Sequence, residues 1–237
     1  MADFPYRLRE DATPTMGLIV LRVDETIEDE FRRYIPPGDA RMHVTRVHSG
    51  DDLTPSSIAE MERALSGAAE LLPPAAKFDV VGYGCTSGAA LIGPIEVRAN
   101  VMAGVTTRHV TDPLSAALAA ISDLGLERVG IVSPYVASVA EPLRAAFVAE
   151  GITVPATLSF GEEVEARVAR IDPASIAEAA RSLAGQAKLD GIFLSCTNLR
   201  TRRILPELKA ELGMPVLSSN QALAWHMRNL AGLGEPE

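Results

Sequence analysis

The chain repeats itself, and this limits the folds open to it more than any single motif does. The segments FDVVGYGCTSGAALIG, from Phe78, and LDGIFLSCTNLRTRRIL, from Leu189, hold the only two cysteines of the 237 residues. Cys85 and Cys196 stand 111 residues apart, each leaving an apolar run and each followed by threonine. The likeness continues on both sides. MGLIVLRVDETIEDEF resembles RVGIVSPYVASVAEPLRAAF, with Gly17 matching Gly130, and RMHVTRVHSG resembles ITVPATLSFG, with Gly50 matching Gly161. TPSSIAEMERAL and DPASIAEAARSL each open on a helix-capping residue followed by proline, Thr54–Pro55 and Asp172–Pro173. Finally, AGVTTRHVTDPLSAALAAI resembles MPVLSSNQALAWHM, each a short strand, a polar turn and a helix.

Apolar runs that alternate with helical periodicity predict βα units around a parallel sheet. The expected fold is therefore α/β, with two pseudo-symmetric Rossmann-like halves, each a small parallel sheet flanked by helices. Residues 1–112 would form the first half and 113–216 the second, with a C-terminal helix in 217–237 packing back on the first. Ligands of open parallel sheets bind beyond the carboxyl ends of the strands. Both cysteines sit at that edge, so two halves related by a pseudo-twofold axis would bring the thiols to one cleft. Each thiol is also expected just before a helix, where N–H groups and the helix dipole lower a thiol pKa.

Composition narrows the partners. With 22 basic and 31 acidic residues the formal charge is −9, and no basic stripe is interleaved with aromatics, so neither nucleic acid nor a membrane surface is an expected partner. The apolar runs fall short of a membrane span, and MADFPYRLREDATPT lacks the apolar centre of a signal peptide. A cytoplasmic location with reduced thiols follows as the expectation.

Other chemistries fit poorly. Gly82, Gly84 and Gly88 spell G-x-G-x-x-x-G, which is not the dinucleotide fingerprint, and Gly84 and Gly88 are read as allowing a sharp turn that leaves N–H groups free for a ligand. Tyr83 and Ser87 stand where a nucleophile elbow needs glycines. His43, His48, His109 and His226 show no metal-ligand spacing, and Lys77, Lys188 and Lys209 fall away from strand carboxyl ends. No cofactor and no metal are expected. A lone cysteine is most often a small buried hydrophobe, but a matched pair suits proton transfer on both faces of a carbon, or addition by one thiol with proton delivery by the other.

The motifs GCTSG at 84–88, SPY at 133–135, ARIDPASI at 169–176, SCTN at 195–198 and PVLSSNQALAWHM at 215–227 resemble the aspartate/glutamate racemase superfamily. Within it the chain is similar to the maleate cis-trans isomerase and arylmalonate decarboxylase branch. The resemblance covers nearly the whole chain and implies two α/β halves with the site between them. It implies Cys85 as nucleophile and Cys196 as acid or base, with Thr86, Ser87, Tyr135, Thr197 and Asn198 binding a small carboxylate. The decarboxylases carry glycine at the first cysteine position, so Cys85 favours an isomerase or racemase. A decarboxylase using Cys196 alone is the runner-up, and a binding protein for a small molecule the non-enzyme alternative. A homo-oligomer is the family tendency.

Two departures bear on the substrate. Asp24 and an acidic residue at Glu165 fall near positions where maleate isomerases carry asparagine. A carboxylate facing a substrate carboxylate is repulsive, so a substrate with one carboxylate and one cationic group fits better. With YRLREDATPT and VLRVDETIE, the pattern looks most like the ectoine-utilisation proteins. The plainer reading of Asp24 is a helix N-cap.

Overall fold

The computed structural model describes residues 3–8, 12–52 and 54–234. Part of the opening segment YRLREDATPT, residues 9–11, and the end of the C-terminal segment, residues 235–237, lie outside the described residues. The first half runs β1 (Thr15–Leu21), α1 (Ile27–Tyr34), β2 (Arg41–Val47), α2 (Pro55–Glu70), β3 (Phe78–Gly84), α3 (Thr86–Ile92), α4 (Pro94–Gly104), β4 (Thr107–Thr111) and α5 (Pro113–Asp123). The second runs β5 (Val129–Tyr135), α6 (Ala137–Ala149), β6 (Thr157–Glu162), α7 (Glu165–Val168), α8 (Pro173–Gln186), β7 (Gly191–Leu194), α9 (Leu205–Leu212), β8 (Val216–Ser218) and α10 (Ser219–Leu230).

Among the described residues there are two four-stranded sheets, in the orders β2-β1-β3-β4 and β6-β5-β7-β8. Every pairing is parallel, as the expected α/β fold requires. The central strands explain why these sequences take this form. β1 and β5 are buried along their whole length, which suits the unbroken apolar runs of a strand covered by helices on both faces. The register sets Leu18 beside Val44 and Gly82 in one sheet and Ile131 beside Phe193 in the other. The caps read from sequence are formed: Thr54 accepts from the Ser57 N–H in a capping box, and Asp172 accepts from the Ala174 N–H.

The halves exchange their last helices. On α5, Leu114, Ala117 and Ile121 pack with Ile131, Phe147 and Phe193 of the second half. On α10, Leu223, Ala224 and Met227 pack with Leu18, Val80 and Phe31 of the first. Gly82 makes the second contact close, because a Cβ there would stand 2.6 Å from the Met227 sulfur. Beyond the core, the buried Arg228 guanidinium reaches Asp39 at 2.5 Å and the Gly234 carbonyl at 2.9 Å. No helix among the described residues is long and apolar enough to cross a membrane.

Because α10 covers the first sheet while its strand, β8, belongs to the second, its apolar face ties the halves together. Leu223→Ala leaves a cavity at a fully buried position and is expected to cost about 2–5 kcal/mol in urea unfolding. A loss below about 1 kcal/mol would mean that α10 is not part of the cooperative core.

Candidate active site

The carboxyl ends of β1, β3, β5, β7 and β8 meet in one buried polar seam. Asp24 follows β1, Cys85 follows β3, Tyr135 ends β5, Cys196 follows β7 and Ser219 follows β8. Hydrogen bonds cross between the halves. The Thr86 hydroxyl donates to Ser219 Oγ at 2.8 Å, and the same oxygen accepts from the Cys196 N–H at 2.9 Å. Thr197 Oγ1 donates to the Gly84 carbonyl at 3.2 Å. The Thr26 hydroxyl donates to the Asn198 carbonyl at 3.0 Å, and Asn198 Oδ1 accepts from the Glu25 N–H at 2.9 Å. Glu30 Oε1 accepts from the Thr201 and Arg202 N–H groups, while Asn220 Nδ2 spans Glu30 Oε2 and the Thr197 carbonyl at 2.9 and 2.8 Å.

This seam brings Cys85, Thr86, Tyr135, Cys196, Thr197, Asn198 and Asp24 into one region, with Ser87 buried in the first turn of α3. Cys85 and Cys196 are each only 3% exposed. Asp24 caps the start of α1. Its Oδ1 accepts from the Thr26 and Ile27 N–H groups at the start of α1, whereas Oδ2 is buried without a hydrogen-bond partner. Glu165 is also in the site. Its Oε1 accepts from Tyr135 Oη at 2.7 Å and its Oε2 from Asn198 Nδ2 at 2.9 Å.

Three expectations need correction. First, Cys196 does not precede a helix. The residues after it form turns until α9 begins at Leu205, and only Cys85 sits at a helix N-cap, where its Sγ accepts from the Gly88 N–H at 3.2 Å. Second, neither thiol is lowered. Burial pushes Cys85 up to about 12 against the Gly88 N–H and the Tyr83 hydroxyl, with the nearby Glu165 and Asp24 carboxylates adding to the rise. Burial raises Cys196 well above the ordinary thiol range, and the same two carboxylates contribute. Helix and N–H effects lose to the desolvation of a thiolate in a closed, acidic interior. Third, Gly84 and Gly88 are there for closeness rather than for a sharp turn. A Cβ on Gly84 would meet the Ile27 side chain at 2.7 Å, and one on Gly88 would meet the Tyr83 hydroxyl at 2.3 Å.

Cys196 also carries a φ of +129°, the one positive value at a non-glycine among the described residues. Such a conformation is strained for a residue with a Cβ. It turns Sγ to accept the Asn198 N–H at 3.2 Å and to face Tyr135 Oη at 3.0 Å. Sequence reasoning did not single out Ser219, Asn220 or Glu30. The first two had a signal, since SSN follows a short strand at the edge where the cysteines lie. Glu30 had none, because mid-helix it reads as an exposed charge. Among the described residues no three His, Cys, Asp or Glu side chains gather as a metal site.

A family model described as arylmalonate decarboxylase matches residues 96–236. The chain is 30% identical over 232 residues to the arylmalonate decarboxylase of Bordetella bronchiseptica, covering 96% of this chain and 94% of that protein. It is 26% identical over 225 residues to the maleate isomerase of Nocardia farcinica, covering 89% and 87%. A liganded arylmalonate decarboxylase with one glycine changed to cysteine and one cysteine to serine shares 27% identity at a TM-score of 0.82, over 94% of both chains. The maleate isomerase Iso of Pseudomonas putida S16, a cysteine-to-alanine variant with maleate, gives 0.82 at 22% identity over 93% of both chains, a likeness of fold.

The acidic groups make stability depend on pH in an unusual sense. Burial raises the carboxyls of Asp24 and Asp112 above 3.8 and those of Glu30 and Glu165 above 4.5. A carboxyl held protonated more firmly in the folded state adds its full stability below the unfolded pKa and loses it as pH rises through the folded one. The groups shifted the other way, Glu25, Glu141 and Glu211, lie in solvent, where ion pairs contribute little. Urea unfolding is therefore expected to show stability declining as pH rises above about 4, and Asp24→Asn to flatten that decline. A parent protein that grows steadily more stable from about pH 4 to 7 would contradict this account.

Proposed function

The chain belongs to the arylmalonate decarboxylase family, and from that premise we propose that it is a cofactor-independent isomerase or racemase of a small carboxylic acid, working through Cys85 and Cys196. The observation that carries this reading is the pair itself. Two buried thiols stand at matching strand ends of two copies of one fold, and the Ser219 hydroxyl joins the Thr86 side chain to the Cys196 backbone. In a proton-transfer reaction one thiolate takes the proton from the carbon beside the carboxylate, and the other thiol delivers a proton to the opposite face. In the addition variant, the Cys85 sulfur bonds to an unsaturated carbon while Cys196 supplies and removes the proton at its neighbour. Hydroxyls and amides of Thr86, Ser87, Tyr135, Thr197 and Asn198 would hold the carboxylate and stabilise the enolate-like charge.

The buried, unpartnered Oδ2 of Asp24 supports a substrate that carries an N–H cation as well as a carboxylate. With Glu165 nearby, a dianion such as maleate would meet like charge in a poorly solvated space. Cyclic amidine acids of the ectoine and hydroxyectoine type have the required pairing. A second reading, decarboxylation by Cys196 alone, draws on the identity to arylmalonate decarboxylase. Raised thiols would also suit a binding protein, so turnover has to be tested directly.

Proton exchange followed by NMR in deuterated water, with ectoine, both hydroxyectoine epimers, maleate, aspartate and an arylmalonate, separates these readings. Exchange or isomerisation of one compound is expected, falling about 10²- to 10⁴-fold in both Cys85→Ser and Cys196→Ser. A decarboxylase would keep most of its rate in Cys85→Ala, and binding without exchange of any compound would mark a binding protein. In calorimetry, Asp24→Asn is expected to weaken a cationic ligand about tenfold or more and to strengthen maleate. Tight maleate binding with no affinity for the ectoines would overturn the substrate assignment.

A further inference from the structure

Both thiols stand beside a tyrosine hydroxyl, but the two tyrosines lead to different places. Tyr83, beside Cys85, directs its hydroxyl to the Met61 sulfur at 3.2 Å, a weak acceptor that takes no proton. Tyr135, beside Cys196, directs its hydroxyl to Glu165 Oε1 at 2.7 Å. Tyrosine has one hydrogen, and that hydrogen goes to the carboxylate. Hence, with Glu165 ionised, the thiol is left to donate at the 3.0 Å contact between Cys196 Sγ and Tyr135 Oη. The second oxygen of Glu165 accepts from Asn198, so the carboxylate is held by donors on both sides.

We propose that Cys196, Tyr135 and Glu165 form a proton relay in which Glu165, acting through Tyr135, takes the proton that turns Cys196 into a thiolate. The S–H bond breaks as its proton passes to Tyr135 Oη, and the Tyr135 O–H proton passes to Glu165 Oε1. The negative charge moves from carboxylate to sulfur, Tyr135 ends neutral, and no charge crosses the boundary of the site. This meets a difficulty left by the burial of both thiols. An enclosed site resists gaining a second negative charge, but a proton moved within it adds none. Cys85 lacks this outlet and remains the thiol, so the relay belongs to the proton-transfer form of the two-thiol reading and not to the addition form.

The titratable groups facing the relay are Asp24 from the β1–α1 turn, which acts on both Cys196 and Glu165, and Cys85 from the β3–α3 corner, which feels Glu165, while Arg46 on β2 acts on Asp24. Asp24 disfavours charge on the Cys196 sulfur and on Glu165 alike, so it bears on the total charge of the pair more than on its division.

The inference deepens the two-thiol reading and rests on it for its purpose, but its test needs no substrate. Iodoacetamide alkylation of Cys196, followed by intact mass in a Cys85→Ser background, reports thiolate availability across about pH 5.5 to 9. The relay predicts a rate nearly independent of pH between about 6.5 and 8.5, because the proton stays inside the protein. Tyr135→Phe keeps the Glu165 charge and removes the path. It is expected to slow the reaction about tenfold or more at pH 7 and to restore a tenfold rise per pH unit. Glu165→Gln should do the same, and the double variant should be no slower than either single one.

A carboxylate that merely raises the thiol pKa predicts the reverse, with Glu165→Gln reacting faster than the parent. That result, an unchanged profile in Tyr135→Phe, or a parent Cys196 that reacts only as pH approaches 9, would overturn the relay. Should every candidate substrate fail while the flat profile and its loss in both variants are observed, the functional reading falls and the relay stands.

Discussion

Everything distinctive in this molecule depends on the seam of hydrogen bonds that closes the carboxyl edge of one sheet against that of the other. Buried polar groups have to be paired, and here the pairing runs between halves: Thr86 to Ser219, Thr197 to the Gly84 carbonyl, Asn198 to Thr26 and Glu25, and Glu30 to the 201–202 backbone. Each loop beyond a strand end is held by partners from the opposite half. The exchange of α5 and α10 has the same effect in the apolar layer. Neither half would satisfy its own edge alone.

Closure has an electrostatic consequence. Two thiols, Asp24 and Glu165 share a space in which burial is the largest influence on every one of their pKa values. Such a space favours few charges, so its acids give up their protons less readily than the same groups would in water. That is a cost to stability near neutral pH, and the strained backbone at Cys196 adds to it. Strain and buried acid groups in one place are the pattern expected where structure has yielded to chemistry.

The pseudo-symmetry is one of backbone, and the side chains break it. Each half supplies a cysteine and a tyrosine at the same edge, yet Tyr83 meets Met61 where Tyr135 meets Glu165. Two thiols in equivalent positions thereby acquire different partners. A reaction that moves protons between opposite faces of one carbon needs such a difference, since one sulfur must begin without its proton and the other with it.

The repeat was legible in the sequence because it is written in local terms: unbroken apolar runs for strands buried on both faces, proline after a capping residue for the helices, and a conspicuous cysteine at each matching point. From these follow the two parallel sheets and the placing of Cys85 and Cys196 at their edge. Asp24 and Glu165 could be marked as departures from a family pattern. Their surroundings could not be read, because a hydrogen bond from Tyr135 to Glu165, or an unpaired oxygen on Asp24, depends on residues far apart in the chain. The direction of the thiol pKa values was misjudged for the same reason. Helix ends and following N–H groups are visible along a chain, whereas desolvation is the work of all that packs around a group. Local order followed from the sequence; how dry the site is, and which acid faces which thiol, only the assembled halves decided.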